Sequence, residues 1–481
     1  MREKFVALLL ATVVSSPAVS ESPNIVILLA DDLGWTGTSV QMDERVPGSK
    51  SDLYRTPNLE RLASQGMRFS NAYSPAPNCS PTRMSIQTGK TAARLGATDI
   101  IDVVPDETGR AVYQFFYDDF YRNKPMHVPL PISDLADEEL TIAEFLKQQD
   151  SRYVAGHIGK WHMGGGSPAR HGYDEHDGLT TNAPGRQGMP DPKRTGEITE
   201  RSLAFLEKHG ASGHPFLLQI SYYAVHTPVL AKPETVSRYH GYSSVIHSNN
   251  TYGAMTDELD QSVGRILDRI EALGIADDTY VIFTSDNGGE SDRPVTSNVP
   301  LSMGKTHVWE GGIRVPLIVR GPGIAAGSQS HVPAIGYDFL PTIAEWLGAG
   351  DRLPDQLDGG SLAGVLANEG VGEVDRRTEP LIWYYGAYRN MKHVTPQTAI
   401  RLDQHKLIRE LESGREVLYD LDLDLAETTD LSRFRPEVAR RLSRLLDDYL
   451  ASVDLELPTP NPEYDPARDT GLISVGGTGS P

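Results

Sequence analysis

Short, continuous apolar runs that alternate with helix-like stretches are the feature that most constrains this fold. Runs of β-branched and aliphatic residues are typical of strands that are buried on both faces of a sheet. Such runs span residues 24–30, 216–222, 279–284 and 315–319. Helix-like stretches lie between them, at residues 57–66, 141–148, 198–209 and 252–273. This alternation predicts an α/β fold, with a large, mostly parallel sheet flanked by helices.

The pattern changes after about residue 375. Short, partly alternating runs and one amphipathic stretch follow, at residues 381–388, 397–402, 405–411, 417–421 and 436–453. They predict a smaller C-terminal antiparallel sheet with a helix packed against it. We expect a main α/β domain over residues 21–375 and an α+β subdomain over residues 376–457. Residues 458–481 are rich in Pro, Gly and Ser, which predicts a loose tail.

The N-terminus has the pattern of a secretory signal peptide over residues 1–20. Two basic residues, Arg2 and Lys4, precede an apolar run over residues 5–14, and small residues lead up to the predicted cleavage point after about Ser20. An anchor helix is the alternative, but the run is far shorter than the ~20 residues that span a bilayer. We therefore expect an exported protein, periplasmic or secreted, without a stable membrane anchor.

The net charge excludes one class of partner. The chain has 45 Lys and Arg residues against 65 Asp and Glu residues, which gives a formal net charge of −20. Proteins that bind nucleic acids carry a basic surface instead, so we expect no nucleic-acid partner. An anionic substrate has to be attracted by a few basic side chains inside a pocket.

Polar side chains of complementary types follow the predicted strands where each strand ends. They are Asp31 and Asp32 after residues 24–30, Lys160 and His162 after a shorter run at residues 153–158, His226 after residues 216–222, and Asp286 and Asn287 after residues 279–284. Ligands of open α/β sheets bind beyond the carboxyl ends of the strands. Carboxylate and amide oxygens favour a hard cation, Ca²⁺ or Mg²⁺, over zinc. Any one acidic pair fits a turn or a helix N-cap equally well, but the whole set predicts a metal site.

Cys79 is the single cysteine of the chain, so no intrachain disulfide forms. Ser80 as a helix N-cap, Pro81 at the first helical position and Gly89 at the end predict a short helix directly after it. Cys79 then lies at a helix N-terminus, which favours negative charge, and Arg83 faces the same side. A small buried apolar residue is the alternative interpretation of a lone cysteine.

These motifs resemble those of the type I (formylglycine-dependent) sulfatase family of the alkaline-phosphatase superfamily. The first signature of that family, Cys-x-Pro-x-Arg closing on Thr-Gly-Lys, resembles residues 79–90. The second signature resembles residues 152–162, although Arg152 and Ala155 stand where the family has Gly and Thr. Further similar segments follow the family's order, at residues 31–35, 286–288, 305–316 and 418–421.

The resemblance implies a sulfuric ester hydrolase whose catalytic domain is the α/β domain. It implies that a formylglycine-generating or sulfatase-maturating enzyme oxidises Cys79 to Cα-formylglycine. The hydrate of this aldehyde attacks sulfur through one hydroxyl and expels sulfate with the help of the other. The resemblance also implies a bound Ca²⁺ ion, with Mg²⁺ as the alternative, held by Asp31, Asp32, Asp286 and Asn287.

The resemblance assigns further roles to basic side chains. It implies that Arg83 holds the hydrate, that Lys160 and Lys305 offset charge on the sulfuryl group, that His226 protonates the leaving alcohol, and that His162 accepts the proton in the elimination. The pocket then carries the positive charge that the surface as a whole lacks.

The resemblance does not identify the substrate. Export and the long predicted loops at residues 99–135 and 163–197 favour a sulfated saccharide over a free aryl sulfate. A phosphonate or phosphodiester hydrolase with the same aldehyde and metal is the neighbouring enzyme alternative. A non-catalytic binder of sulfated glycans follows if Cys79 stays a thiol.

Some other side chains keep two interpretations each. His307 fits either the site or a turn, and His393 fits either the surface or the pocket. His157 stands where the family is usually apolar, which favours a place in the core. Aromatic residues at 113–121 fit either a platform for a sugar ring or a small hydrophobic cluster.

Overall fold

The computed structural model of the protein describes residues 22–101, 122–182, 185, 188–291, 295–389 and 394–469. The predicted signal peptide, the aromatic residues at 113–121 and His393 lie outside these ranges. Within them, the strands are β1 (Asn24–Ala30), β2 (Met67–Phe69), β3 (Ala72–Tyr73), β4 (Met126–His127), β5 (Val154–Gly159), β6 (Glu175–His176), β7 (Phe216–Ser221), β8 (Thr279–Ser285), β9 (Leu317–Arg320), β10 (Ser328–Ser330), β11 (Ala334–Ile335), β12 (Leu381–Tyr385), β13 (Gln397–Leu402), β14 (His405–Glu410), β15 (Glu416–Asp420) and β16 (Thr459–Pro460).

Helices lie between most of these strands. They are α1 (Pro57–Gln65), α2 (Cys79–Thr88), α3 (Ile142–Gln149), α4 (Thr195–His209), α5 (Pro233–Ser237), α6 (Asn250–Ala272), α7 (Glu310–Ile313), α8 (Phe339–Trp346), α9 (Ala363–Ala367) and α10 (Pro436–Ser452). Short 3-10 turns occur at Pro168–His171, Ala276–Asp278, Gly336–Asp338 and Gly350–Arg352. Within the described ranges, no helix combines the length with the apolar composition that a bilayer span needs.

In the described part of the chain, eight strands form one sheet in the order β10-β2-β9-β8-β1-β7-β5-β6. Neighbours are parallel except for β9, which is antiparallel to both β8 and β2. The expectation of a large, mostly parallel sheet is confirmed. The apolar run at residues 315–319 overlaps β9 and therefore does not belong to a parallel strand. A strand that is buried on both faces is apolar whether it runs parallel or antiparallel to its neighbours, so its composition does not indicate its direction.

Four consecutive strands of this sheet, β8, β1, β7 and β5, end at the same edge. Their register places Ala30 opposite Ser285, and Ser221 opposite both Leu29 and Gly159. Parallel strands present their carboxyl ends together, so the residues that follow all four strands meet at one place.

Helices cover both faces of the sheet because side chains alternate along each strand. On one face, Ile25, Ile27 and Leu29 of β1 share a buried cluster with apolar residues of α2, α3 and α8. On the other face, Val26 and Leu28 share a cluster with α1, α4 and α6. The cluster between β1 and α2 fixes the helix whose first residue is Cys79 close to the end of the central strand.

The strands β12, β13, β14 and β15 form a separate antiparallel sheet in chain order. Leu442 and Leu446 of α10 pack in one cluster with Ile400 of this sheet. On the opposite face, Trp383 clusters with Ile313 and donates from its indole nitrogen to a backbone carbonyl oxygen of the main domain (2.8 Å). The predicted C-terminal antiparallel sheet with a packed helix is confirmed.

A buried network of charges joins this small sheet to the main domain. Lys406 on β14 donates to Glu310 on α7 (2.9 Å) and to Glu427 (2.8 Å). Arg314 and Tyr73 donate to the other carboxylate oxygen of Glu310, at 2.6 and 2.9 Å. All five side chains are buried, so each charge depends on its partners for the stabilisation that water supplies at a surface.

The start of the predicted loose tail is held against the main domain. The strand β16 pairs in the antiparallel direction with β4. Asn461 then donates from Nδ2 to the backbone carbonyl oxygens of Arg122 and Lys124, at 2.9 and 2.8 Å. The prediction of a loose tail is wrong for residues 459–461, because composition does not reveal a pairing partner more than 300 residues away in the chain.

Replacing Lys406 with Met should strongly destabilise the protein, because Glu310 and Glu427 would stay buried without their shared cation. We expect the free energy of unfolding to fall by about 3–5 kcal/mol in urea denaturation. Lys147→Met is the matched control, since Lys147 pairs with Asp174 (2.6 Å) where both side chains are partly exposed. It should change the free energy of unfolding by less than about 1 kcal/mol. Equal effects of the two changes would contradict the importance of the buried network.

Candidate active site

Three buried carboxylates lie at the ends of β1 and β8. Asp31 and Asp32 directly follow β1, and Asp286 directly follows β8. The backbone N–H of Asp32 donates to Oδ1 of Asp286 (3.1 Å), and Nδ2 of Asn287 donates to Oδ1 of Asp32 (2.7 Å). The structure therefore brings together all four residues that the sequence proposes as metal ligands.

Two lysines from other segments pair with these carboxylates. Lys160 Nζ lies 2.7 Å from Oδ2 of Asp31, and Lys305 Nζ lies 2.7 and 2.8 Å from the two oxygens of Asp32. Burial acts to raise the pKa of Asp32, but Lys305, followed by His226 and Lys160, outweighs it and lowers the pKa. Burial acts to lower the pKa of both lysines, and the carboxylates raise it above the ordinary value. Lys160, Lys305 and Asp32 are therefore charged.

Arg83 connects three elements at this edge of the sheet. Its Nε and Nη2 atoms donate to Oδ2 of Asp286, at 3.0 and 2.6 Å, and its Nη1 atom donates to the carbonyl oxygen of Lys160 (2.7 Å). Both Arg83 and Asp286 are buried, which strengthens a charge-assisted pair of this geometry. Helix α2 is thereby tied to the ends of β8 and β5.

Helix α2 begins at Cys79 itself, two residues earlier than the sequence predicts. Asn78, with an extended backbone, occupies the N-cap position, and Ser80 lies inside the first turn. The prediction of Ser80 as the N-cap is wrong because Pro81 fits anywhere in the first turn, where backbone N–H groups have no partner within the helix. Gly89 ends the helix with a positive φ of 68°, as predicted.

The side chain of Cys79 faces the carboxylates. Its Sγ atom donates to Oδ1 of Asp31 (3.5 Å). One side-chain atom from each of Asp31, Asp32, Cys79 and His226 lies within 4.8 Å of all the others. Burial, followed by the charge of Asp286, raises the pKa of the thiol. The thiol is therefore neutral, and a neutral thiol is a weak nucleophile.

His226 reaches the cluster from the segment after β7. Its Nε2 atom lies 3.7 Å from Oδ2 of Asp32, and its Nδ1 atom lies 2.5 Å from the carbonyl oxygen of Thr227. A carbonyl oxygen only accepts, so Nδ1 carries the proton and Nε2 of the neutral ring carries none. Burial, followed by the charge of Lys305, lowers the pKa of His226 to about 3. The ring must therefore gain a proton on Nε2 before it acts as an acid.

The side-chain oxygen Oδ1 of Asn287 is the strongest indication of a metal site. This buried oxygen has no hydrogen-bond partner among the described residues, whereas Nδ2 of the same amide donates to Asp32 and to the carbonyl oxygen of Gly288. A buried polar atom without a partner is unfavourable, and a hard cation would supply the missing interaction. The amide oxygen and the surrounding carboxylates fit Ca²⁺ or Mg²⁺ by their chemistry.

His162 is buried and lies beyond the end of β5, outside the extended geometry of a strand. Strand alternation predicts that Lys160 and His162 point the same way. The strand ends at Gly159, and the φ of His162 is +55°, so the alternation does not extend to it. The backbone N–H of His162 donates to the carbonyl oxygen of Thr180 (2.9 Å). His162 is not one of the four residues whose ligand atoms converge.

Two other histidines with open interpretations have defined surroundings. His157 is buried and packs edge-on against Trp161 and Tyr173, with ring centroids 5.0 and 5.3 Å away, which confirms its place in the core. His307 lies in a turn, where its backbone N–H donates to the carbonyl oxygen of Gly304 (3.0 Å).

Lys193 is a neighbour of the site that sequence reasoning missed. It is fully buried in the segment before α4, close enough to interact electrostatically with Asp31, Asp32, Lys160 and Lys305. Neither a motif nor a strand end marks it. The length of the polar loop at residues 163–197 is the only signal that points to this region.

Comparison with known families accounts for this arrangement. A family model described as Sulfatase matches residues 23–349, which contain the carboxylates, Cys79 and their basic partners. The chain belongs to the sulfatase family. A second model, described as N-sulphoglucosamine sulphohydrolase, C-terminal, matches residues 303–451. The expected place in the alkaline-phosphatase superfamily is confirmed, and the protein is an arylsulfatase-like sulfuric ester hydrolase.

The similarity to individual relatives covers most of the chain of this sulfatase. A sulfatase of Formosa agariphila is 29% identical over 89% of this chain and 88% of its own length. Human N-acetylgalactosamine-6-sulfatase is 31% identical over 76% of this chain and 69% of its own length. The crystal structure of Ps i-CgsB in complex with k-i-k-neocarrahexaose has a TM-score of 0.72 at 23% identity and covers 92% of this chain and 94% of its own. That likeness shows a shared fold.

Replacing His157 with Gln should make the stability of this sulfatase less sensitive to acid. Burial, followed by the charge of Arg83, lowers the pKa of His157 to about 3 in the folded protein. The unfolded chain, with a pKa of about 6.5, binds the proton more readily, so stability falls as the pH drops from about 6.5 toward 3. Through this group alone, the free energy of unfolding should fall by roughly 2 kcal/mol from pH 7 to pH 5.

Urea denaturation of the wild type and of His157→Gln at both pH values measures this difference. His214→Gln is the control, because His214 is exposed, and it should keep the pH dependence of the wild type. If His157→Gln shows the same loss as the wild type, the buried neutral state of His157 is refuted.

Proposed function

We propose that this sulfatase releases inorganic sulfate from a sulfated saccharide, with Cα-formylglycine at position 79 and a bound Ca²⁺ ion. The observation that carries the proposal is the convergence of Asp31, Asp32, Cys79 and His226 within 4.8 Å at the carboxyl edge of the sheet. Three basic side chains from segments that resemble the family, Arg83, Lys160 and Lys305, pair with the carboxylates at this edge.

The saccharide is supported by the names of several relatives. N-acetylgalactosamine-6-sulfatases of several mammals are 31–32% identical to this chain. Ps i-CgsB was solved with k-i-k-neocarrahexaose, and a second structure of the same fold, BT4656, was solved with D-glucosamine-2-N,6-O-disulfate. All three of these proteins are named for, or solved with, sulfated sugars, which favours this class of substrate over a free aryl sulfate.

The proposed ion is Ca²⁺, with Mg²⁺ as the alternative. Asp31, Asp32, Asp286 and Asn287 would hold it, and the partnerless Oδ1 of Asn287 supports this donor set. When bound, such an ion polarises a sulfate oxygen and stabilises the charge that develops on it.

The nucleophile is proposed to be the hydrate of the aldehyde at position 79, because the buried thiol is neutral. One hydroxyl of the hydrate loses its proton to Asp31, whose Oδ1 lies 3.5 Å from Sγ of the unmodified residue. Its oxygen attacks sulfur, and the bond between sulfur and the ester oxygen breaks. His226, after its Nε2 atom has taken up a proton from water, delivers that proton to the leaving alcohol.

Regeneration uses the second hydroxyl of the hydrate. His162 accepts its proton, the carbonyl of the aldehyde re-forms, and the bond between that carbon and the sulfate oxygen breaks. Water then restores the hydrate. Lys160 and Lys305 stabilise the charge on the sulfuryl group throughout, and Arg83 holds the hydrate in place.

The route to the active protein is also part of the proposal. We propose export through the signal peptide at residues 1–20 and conversion of Cys79 by a formylglycine-generating or sulfatase-maturating enzyme, which supplies its own oxidant. The buried position of Cys79 supports conversion before the chain has folded, since the finished fold leaves its side chain no access to another protein.

Mass spectrometry and the variant Cys79→Ser test the nucleophile. In active protein, the tryptic peptide that contains residue 79 should be lighter than its unmodified form by roughly 18 Da. Cys79→Ser should fold normally and should lower sulfate release by more than about a thousandfold, because serine lacks the second hydroxyl. The assay offers sulfated oligosaccharides, a simple aryl sulfate and a phosphodiester. Active protein with an unmodified thiol, or faster turnover of the phosphodiester than of every sulfate ester, would refute the proposal.

Replacing Asn287 with Leu tests the metal site. Ca²⁺ added to chelator-treated protein at about 100 times its dissociation constant should stabilise the wild type by ~2.7 kcal/mol. Asn287→Leu removes Oδ1 at nearly constant size, so this stabilisation should shrink or disappear. Asn368→Leu, an exposed position, is the control and should keep the full response. An undiminished response of Asn287→Leu to Ca²⁺ would exclude Oδ1 as a ligand.

A further inference from the structure

Lys193 differs from the other basic side chains near the site in its hydrogen bonding. Its side chain is fully buried, and its Nζ atom has no hydrogen-bond partner among the residues that the structure describes. Arg83, Lys160 and Lys305 each donate to a carboxylate at 2.6–2.8 Å. Lys193 lies outside the segments that resemble the family signatures, and the mechanism proposed for this sulfatase does not use it.

A buried ammonium group without a partner is strongly unfavourable. Burial lowers the pKa of Lys193 to about 8, which leaves most of the population protonated at neutral pH. Asp31 and Asp32 attract this charge, but both carboxylates already pair with other lysines. Lys193 is therefore a buried cation without a counter-ion of its own among the residues that the structure describes.

The position of Lys193 is set by its backbone surroundings. The next residue, Arg194, has a φ of +53° and donates its N–H to the carbonyl oxygen of Asp191 (3.1 Å). Oδ2 of Asp191 accepts from the backbone N–H of Glu197 in the first turn of α4 (2.9 Å). This turn directs the chain into the helix directly after Lys193.

We propose that Lys193 binds an anionic oxygen of the substrate's sulfuryl group, as a third lysine of the active site. This inference rests on the proposed function. The charged groups that act on Lys193 are Asp31, Asp32, Lys160 and Lys305, and all four belong to the proposed active site. A second acidic group on the sugar would bind farther out, so the sulfuryl group is the counter-ion that the position favours.

Lys193→Met tests this role with two sulfate esters. One is 4-nitrophenyl sulfate, which has no second acidic group, and the other is a sulfated oligosaccharide that also carries a carboxylate. We expect kcat/KM to fall about 10- to 100-fold on both, as for the loss of a hydrogen bond to a charged group. Inhibition by inorganic sulfate should weaken by a similar factor, and Lys193→Arg should recover part of both losses. Lys208→Met, at an exposed lysine on α4, should match the wild type.

Thermal unfolding separates binding from a structural role. Removal of a buried charge without a partner should leave the melting temperature of Lys193→Met unchanged or higher. A lower melting temperature with unchanged inhibition by sulfate would refute the proposal in favour of a structural lysine. A loss confined to the substrate with the carboxylate would refute it in favour of a second acidic group. Binding of inorganic sulfate needs no turnover, so a wild type that binds sulfate but hydrolyses no ester would refute the proposed function and not this contact.

Discussion

Buried side chains of opposite charge balance one another at one edge of the large sheet, and this balance holds the active site together. Three carboxylates follow two adjacent central strands, and each is stable there only with an opposite charge beside it. The pairs are Asp31 with Lys160, Asp32 with Lys305, and Asp286 with Arg83. Each cation comes from a different part of the chain, so the pairs also hold the surrounding segments together.

The rest of the fold positions those segments. The parallel order β8-β1-β7-β5 brings four strand ends to one edge, and the cluster between β1 and α2 places Cys79 beside them. The small C-terminal sheet contributes at a distance. Lys305 precedes Glu310 by five residues, and Glu310 is held by Lys406 of that sheet and by Arg314. The network between the two sheets therefore stabilises the segment that carries a lysine of the site.

The sequence predicted strand ends better than it predicted local geometry. A buried strand is recognised by its composition, and the residue after it is known as soon as the strand is, which explains why Asp31 and Asp286 were found. Helix caps and backbone angles depend on neighbours in space. The N-cap at Asn78 and the positive φ of His162 follow from such contacts. Pairing of β16 with β4 likewise depends on a distant segment, and composition carries no record of it.

The chemistry of the site can be predicted from the amino-acid sequence: oxygen ligands, a lone cysteine in a family signature, and basic residues among an excess of acids. How those charges pair with one another depends on the folded arrangement of the chain. Lys160 and Lys305 are ion-paired, and the ring of His226 is neutral. Lys193 is buried without a hydrogen-bond partner in the described part of the chain. The physical reason is that pairing and desolvation depend on distances of a few ångströms between segments far apart in the chain, and a linear pattern does not contain those distances.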